Sequence, residues 1–140
     1  ELGENRDGMD MAICRLDKKD NKLTFSGAYN PLYIIRNGEL LEHKANRRPV
    51  GYYVGESIPF TKEEVKLKKG DMLYIFSDGF IDQFGGKKGK KYRTRNFKKL
   101  LLQINGLPCE EQSKALDKEL VVWKGETEQV DDVCIMGVRF

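Results

Sequence analysis

Apolar positions along this chain fall mostly into short runs separated by turn residues, and take up helical spacing only late in the sequence. Residues 9–16 (MDMAICRL) lie between Asp7-Gly8 and Asp17, which predicts a strand buried at least in part. Residues 22–29 (KLTFSGAY) alternate Leu23, Phe25 and Gly27 with polar neighbours, the period of a half-covered strand. Asn30-Pro31 ends that run, because proline donates no amide and restricts the residue before it. Residues 32–36 and 39–43 then flank Asn37-Gly38 with the two-residue spacing of a type I′ hairpin, whose central residues both need positive φ. The N-terminal part of the chain is therefore expected to be antiparallel sheet.

A less regular stretch follows, with Arg48-Pro49-Val50-Gly51 as a tight loop. Residues 64–68 (EVKLK) alternate and predict a strand with one exposed face, and Lys69-Gly70-Asp71 turns the chain. Residues 72–76 (MLYIF) are continuously apolar, as in a strand covered on both faces, and the run stops at Ser77-Asp78-Gly79. Residues 85–91 (GGKKGKK) are too glycine-rich and charged to pack and read as a loop. Between residues 95 and 105, Phe97, Leu100, Leu101 and Ile104 are spaced for one helical face, closed by Asn105-Gly106. A second helix starts at Pro108, carries Glu110 and Glu111 in its first turn, and buries Leu116, Leu120 and Trp123 before Gly125. Residues 133–138 (VCIMGV) form a last strand behind Asp131-Asp132. The order predicts one α+β domain over residues 1–140, mainly antiparallel sheet with two helices inserted before the final strand.

Composition narrows the chemistry. With 39% hydrophobic residues, 140 residues can build one core, and 25 basic against 22 acidic side chains leave a net charge of only +3, which argues against a uniformly basic nucleic-acid coat. No apolar run approaches the roughly 18 residues of a membrane span. The cysteines Cys14, Cys109 and Cys134 are odd in number and lack C-x-x-C spacing, so neither a disulfide framework nor a structural zinc is expected, and a cytoplasmic setting fits best. The single histidine, His43, excludes a histidine-rich metal site within the chain. It reads as a surface strand residue, while Cys14 and Cys134 read as small buried hydrophobes.

Two acidic positions share one property: Asp78 follows an apolar strand, and Asp131 with Asp132 precedes another. If those strands are antiparallel neighbours, the carboxylates meet at one end of the sheet, an oxygen-only donor set suited to Mg²⁺ or Mn²⁺. Gly79 would let the backbone turn sharply beside an ion. Taken singly, each position reads first as an ordinary turn or a solvated loop.

The run Lys69-Gly70-Asp71-Met72-Leu73-Tyr74-Ile75-Phe76-Ser77-Asp78-Gly79 resembles the Gly-Asp, apolar strand, Ser/Thr-Asp-Gly signature of the SpoIIE-type serine/threonine phosphatases, members of the metal-dependent, phosphatase 2C-like (PPM) superfamily. Gln129-Val130-Asp131-Asp132-Val133 is similar to the family's closing Asp-Asp motif. Ser26-Gly27-Ala28-Tyr29-Asn30-Pro31 resembles its Asn-Pro segment, with Tyr29 where histidine is common, and Pro49-Val50-Gly51 resembles its Pro-Leu-Gly loop. The resemblance implies part of an α/β/β/α sandwich, with Asp78 and Asp131 as metal ligands and Asp132 and Gly79 beside them. It also implies two Mn²⁺ or Mg²⁺ ions that share a nucleophilic water. The implied substrate is a phosphorylated bacterial signalling protein such as an anti-sigma-factor antagonist, and the implied setting is a cytoplasmic domain with sensor domains upstream. The family's earlier acidic strand and Asp-x-x-Gly-His-Gly-like motif have no counterpart here, so the chain is expected to be the C-terminal part of the domain. The alternative is a catalytically incomplete module of the same fold that recognises a phosphorylated or acidic partner.

Lys87, Lys88, Lys90, Lys91, Arg93, Arg95, Lys98 and Lys99 form a basic stretch with no intervening acid. A solvated face is its simplest reading. Steering of a phosphoprotein by Lys87, Lys88, Lys90 and Lys91 comes second, and nucleic-acid binding third.

Overall fold

The computed structural model describes residues 7–55 and 58–140. In chain order run β1 (Gly8–Met9), β2 (Met11–Asp17), β3 (Lys22–Ala28), β4 (Leu32–Arg36), β5 (Glu39–His43), β6 (Val50–Gly51), β7 (Glu63–Lys66) and β8 (Met72–Phe76). The short helix α1 (Gly79–Asp82) follows, then β9 (Phe84–Gly85), β10 (Lys90–Lys91), α2 (Arg93–Ile104), α3 (Cys109–Lys124) and β11 (Ile135–Arg139). The strands expected from alternation lie within a residue or two of these bounds. The fold is α+β, built on antiparallel sheet.

One sheet has the order β2-β3-β7 and the other β11-β8-β4-β5, each antiparallel throughout. The four-stranded sheet is the middle layer. Its Leu32, Ile34 and Leu73 face Leu23 and Phe25 of the three-stranded sheet, while Tyr33, Ile35, Met72, Tyr74 and Phe76 face Phe97, Leu100, Leu101 and Ile104 of α2. Two covered faces explain why β4 and β8 are apolar at nearly every position. The Asn37-Gly38 turn has φ of 50° and 78°, the two left-handed residues that a type I′ hairpin requires.

Several local expectations change. The run at 9–16 is two strands: β1 pairs with β6, β2 pairs with β3, and Asp10 lies at the switch between them. The glycine-lysine stretch is a small hairpin in which Lys90 opposes Gly85 and Lys91 opposes Phe84. Gly86 and Gly89 supply its left-handed turn, with φ of 66° and 56°. Leu116, Leu120 and Trp123 of α3 are only partly buried, because a cavity of about 460 Å³ separates much of that helix from β8 and β11. Cys134 is exposed and Cys14 half-buried, since both stand at free sheet edges. Between those edges, Ala12, Ile13, Leu16, Leu73, Ile75, Met136 and Val138 line an open apolar groove of about 390 Å³.

The end of β8 farther from Asp78 is locked by charge. Arg36 donates from Nε to Asp71 Oδ1 at 2.9 Å and from Nη2 to Oδ2 at 2.6 Å, and the same Nη2 reaches the Lys66 carbonyl at 2.9 Å. The Lys68 amide adds a third bond to the carboxylate. Asp71 is 1% exposed, so burial alone would raise its pKa, but Arg36 and the Lys68 amide outweigh burial and hold the carboxyl below its ordinary range. The clamp joins β4, β7 and β8, hence both sheets. Asp71→Ala leaves Arg36 without its partner and is expected to cost about 3 kcal/mol in urea unfolding at pH 7. The stabilisation is present above the unfolded carboxyl's 3.8 and is lost as pH falls through the lower folded value, so the deficit of the variant should narrow in acid.

Candidate metal centre

At the other end of β8 the chain leaves the sheet through Ser77 and enters α1, with Asp78 as the N-cap residue. The Asp78 side chain makes no capping hydrogen bond and is exposed, so its carboxylate is not committed to the helix. β11 runs antiparallel to β8, pairing Ile135 with Phe76, and this register brings the 131–134 segment beside Ser77 and Asp78. The Ser77 amide donates to the Cys134 carbonyl at 2.9 Å. The Ser77 hydroxyl donates to the Asp132 carbonyl and accepts from the Cys134 amide, both at 2.9 Å. Gly79 completes the contact, since a Cβ there would lie 2.3 Å from the Asp132 oxygen. No other residue permits that approach without moving the backbone.

Asp131 is oriented by its own neighbours. Its Oδ1 accepts the Asp132 amide at 2.7 Å, and the Gln129 side-chain amide donates to its carbonyl at 2.9 Å. The Asp78 carboxyl is raised above the usual Asp range, first by the partial desolvation it meets at the sheet end, although the residue is exposed, and then by the negative charges of Asp131, Asp82 and Asp10. The structure thus brings Asp78 and Asp131 to one sheet end, with Asp132 in contact through its carbonyl and Gly79 at the touching point. The donor set suits a hard divalent ion in kind, being all carboxylate oxygen, and a cation would relieve the mutual repulsion. In number it provides part of a coordination shell: among the described residues no three His, Cys, Asp or Glu side chains come together to hold an ion.

Three contributors are not singled out by the sequence. Ser77 stands inside a quoted motif, but its double hydrogen bond depends on a partner far along the chain. Gln129 gives no signal of its own. Asp10 is visible only once the strand at 9–16 is seen to break there and to bring its charge within reach of Asp78.

The basic hairpin follows α1 directly. Lys91 pairs with Asp82 at 3.0 Å, and its Nζ lies 5.8 Å from the Phe84 ring centroid. Lys87, Lys88 and Lys90 are exposed and form no ion pair among the described residues. Lys87 lies by the C-terminal end of α3, near Glu119 and Glu126. The hairpin is docked there: the Gly86 amide donates to the Trp123 carbonyl at 2.8 Å, and the Trp123 indole donates to the Gln83 carbonyl at 3.0 Å.

His43 is half-buried and bonded through Nδ1 to Glu63 at 2.8 Å.

Comparison with solved structures gives several close fold matches. The SiaA PP2C domain of Pseudomonas aeruginosa is 32% identical, with a TM-score of 0.84 over 94% of this chain and 51% of that one. A structure of the PP2C phosphatase domain of Bacillus subtilis SpoIIE with a fragment of its regulatory domain matches with a TM-score of 0.70 at 21% identity, over 94% of this chain and 37% of that one. The RsbU and RsbW domains of Rv1364c from Mycobacterium tuberculosis match with a TM-score of 0.67 at 18% identity, over 93% of this chain and 36% of that one. This chain therefore spans about half, or less, of each of these three structures. No curated protein matches it. The family model for stage II sporulation protein E covers residues 2–140, and on that match, over a fold of the PP2C type, the chain belongs to the SpoIIE family.

Proposed function

We propose that this chain is the C-terminal part of a metal-dependent protein serine/threonine phosphatase domain, in which Asp78 and Asp131 ligate Mn²⁺ or Mg²⁺. The observation that carries this reading is the junction at the end of β8, where two strands from distant parts of the sequence deliver carboxylates to an acidic spot. The apolar groove between β2 and β11 supports the view that an upstream part of the domain completes both sheets and the ligand shell.

When bound, a pair of divalent ions supplies an activated water and neutralises phosphoryl oxygens. The chain's own residues then have distinct tasks. Asp78 and Asp131 hold the ions through carboxylate oxygens. The Asp132 carbonyl and Gly79 keep the two loops in contact. Asp82 anchors Lys91, and the exposed lysines Lys87, Lys88 and Lys90 give an incoming phosphoprotein a positive surface. The partner is a phosphorylated regulator of the anti-sigma-factor-antagonist kind, and the domain works in the cytoplasm under upstream sensor domains. One similar structure joins a PP2C domain to part of a regulatory domain and another joins RsbU to RsbW, which supports that setting. A second reading is a catalytically incomplete module that binds a phosphorylated partner. The partial ligand set among the described residues favours it.

The two readings separate in a phosphatase assay. In the protein carrying the complete domain, Mn²⁺-dependent hydrolysis of p-nitrophenyl phosphate is expected, and Asp78→Asn or Asp131→Asn should lower kcat/KM by about 100-fold or more. The 140-residue chain alone should be far slower. Absence of Mn²⁺-dependent turnover in the complete domain would leave the binding module standing.

The charge on Asp78 also sets a stability test. Its raised pKa means that the fold is favoured with the carboxyl protonated, and that this contribution is lost as pH rises through the folded value. Asp78→Asn should therefore raise the metal-free Tm near pH 7 and abolish the Tm increase that Mn²⁺ gives the wild type.

The hairpin has its own discriminating measurement. Replacing Lys87, Lys88 and Lys90 with Ala should weaken kcat/KM for a phosphoprotein several-fold at low salt and leave p-nitrophenyl phosphate nearly unchanged. The difference should fade as salt screens exposed charges beyond about 10 Å at 0.1 M. Equal rates on phosphoprotein would end the steering role, and loss of RNA or DNA binding alone would assign the lysines to nucleic acid.

A further inference from the structure

One side chain joins the end of β8 to the approach of β11. Beyond the Phe76–Ile135 pair, the Ser77 amide makes the next bond outward, to the Cys134 carbonyl at 2.9 Å. In a regular antiparallel rung the Cys134 N–H would return to the Ser77 carbonyl. It goes instead to Ser77 Oγ at 2.9 Å, so the side chain takes the place of the main chain. The same hydroxyl gives its proton to the Asp132 carbonyl at 2.9 Å. With one bond accepted and one donated, it has found a partner on each side.

This substitution has two geometric consequences. The backbone after Ser77 is released from the ladder and can turn into α1, which sets Asp78 at the helix start. The peptide carbonyl next after Asp131 is tied to the residue just before Asp78.

We infer that Ser77 is a positioning residue for the divalent-cation site, its hydroxyl fixing the spacing of the Asp78 and Asp131 carboxylates and thereby the affinity for the ion. This rests on the reading of those two aspartates as ligands. Groups that orient metal ligands from behind commonly change affinity by about 10- to 100-fold when removed. A hydroxyl that merely supported the fold would change the melting temperature and leave the affinity of the folded protein unaltered.

The test is a Mn²⁺ titration, by calorimetry or by loss of the free-ion paramagnetic resonance signal, on the protein carrying the complete domain. Ser77→Ala should raise the Mn²⁺ Kd by at least tenfold, and Ser77→Thr, which keeps the hydroxyl, should stay within about threefold of wild type. Asp78→Asn is the control and should lose most binding. If Ser77→Ala stays within threefold while Asp78→Asn loses binding, the positioning role is overturned and the metal reading stands. If Ser77→Thr is as weak as Ser77→Ala, the hydroxyl is not the cause and the inference also falls. If Asp78→Asn binds like wild type, the metal reading fails and takes the inference with it. Should Ser77→Ala not fold, Ser77→Cys carries the test, because a thiol of similar shape donates and accepts far more weakly than the hydroxyl. A tenfold or greater rise in Kd supports the inference, and an unchanged Kd overturns it.

Discussion

The pairing of β8 with β11 is the constraint on which the rest of this molecule depends. Five residue pairs, from Met72–Arg139 to Phe76–Ile135, join two segments separated by three helices and a hairpin. Everything inserted must leave and return at the same end of the middle sheet, so α2 and α3 can only fold back over its outer face. At the opposite end, the Phe140 amide donates to the Asp71 carbonyl at 2.9 Å, close to the Arg36 clamp. One end of the pair is thus closed by a satisfied ion pair, and the other is left acidic and open. The two ends of a single strand therefore carry opposite electrostatics.

The strand ends were legible because apolar runs stop sharply at Ser77-Asp78-Gly79 and begin after Asp131-Asp132. What the residues alone left conditional was that these two strands are neighbours, a long-range pairing that no local pattern encodes. Motif resemblance pointed to the same residues by another route. α1 has four residues, too few for helical periodicity to register. The lysine run read as loop because a two-residue ladder carries no alternation, and its order comes from docking on Trp123. Asp71 looked like a turn residue, and only the approach of Arg36 from another strand makes it a buried charge. Gln83 was silent for the same reason: its side-chain amide donates to the carbonyls of Phe84 and Glu128, the latter far along the chain.

The acidic end also illustrates how a site can oppose its own fold. The Arg36–Asp71 clamp surrounds a carboxylate with donors and holds it ionised, whereas Asp78 is crowded by Asp131, Asp82 and Asp10. The second arrangement costs the fold stability, and a bound cation would offset that cost. Ser77 and Gly79 reconcile the two demands with uncharged groups, holding the backbones together where the side chains repel.

Among the described residues no strand pairs with the outer margins of β2 and β11, which bears on how such a chain behaves in a cell. Each margin presents a row of backbone donors and acceptors beside exposed apolar side chains, Ile13 at 57% and Met136 at 55%. Charged or proline-blocked borders normally discourage stray strands from adding on, and here the border of β11 carries Met136, Gly137 and Val138 instead. With those margins bare, the chain would be a template for promiscuous strand addition, prone to clumping with its own copies. Its solubility is therefore a sensitive gauge of whether those margins are covered, independent of any catalytic readout.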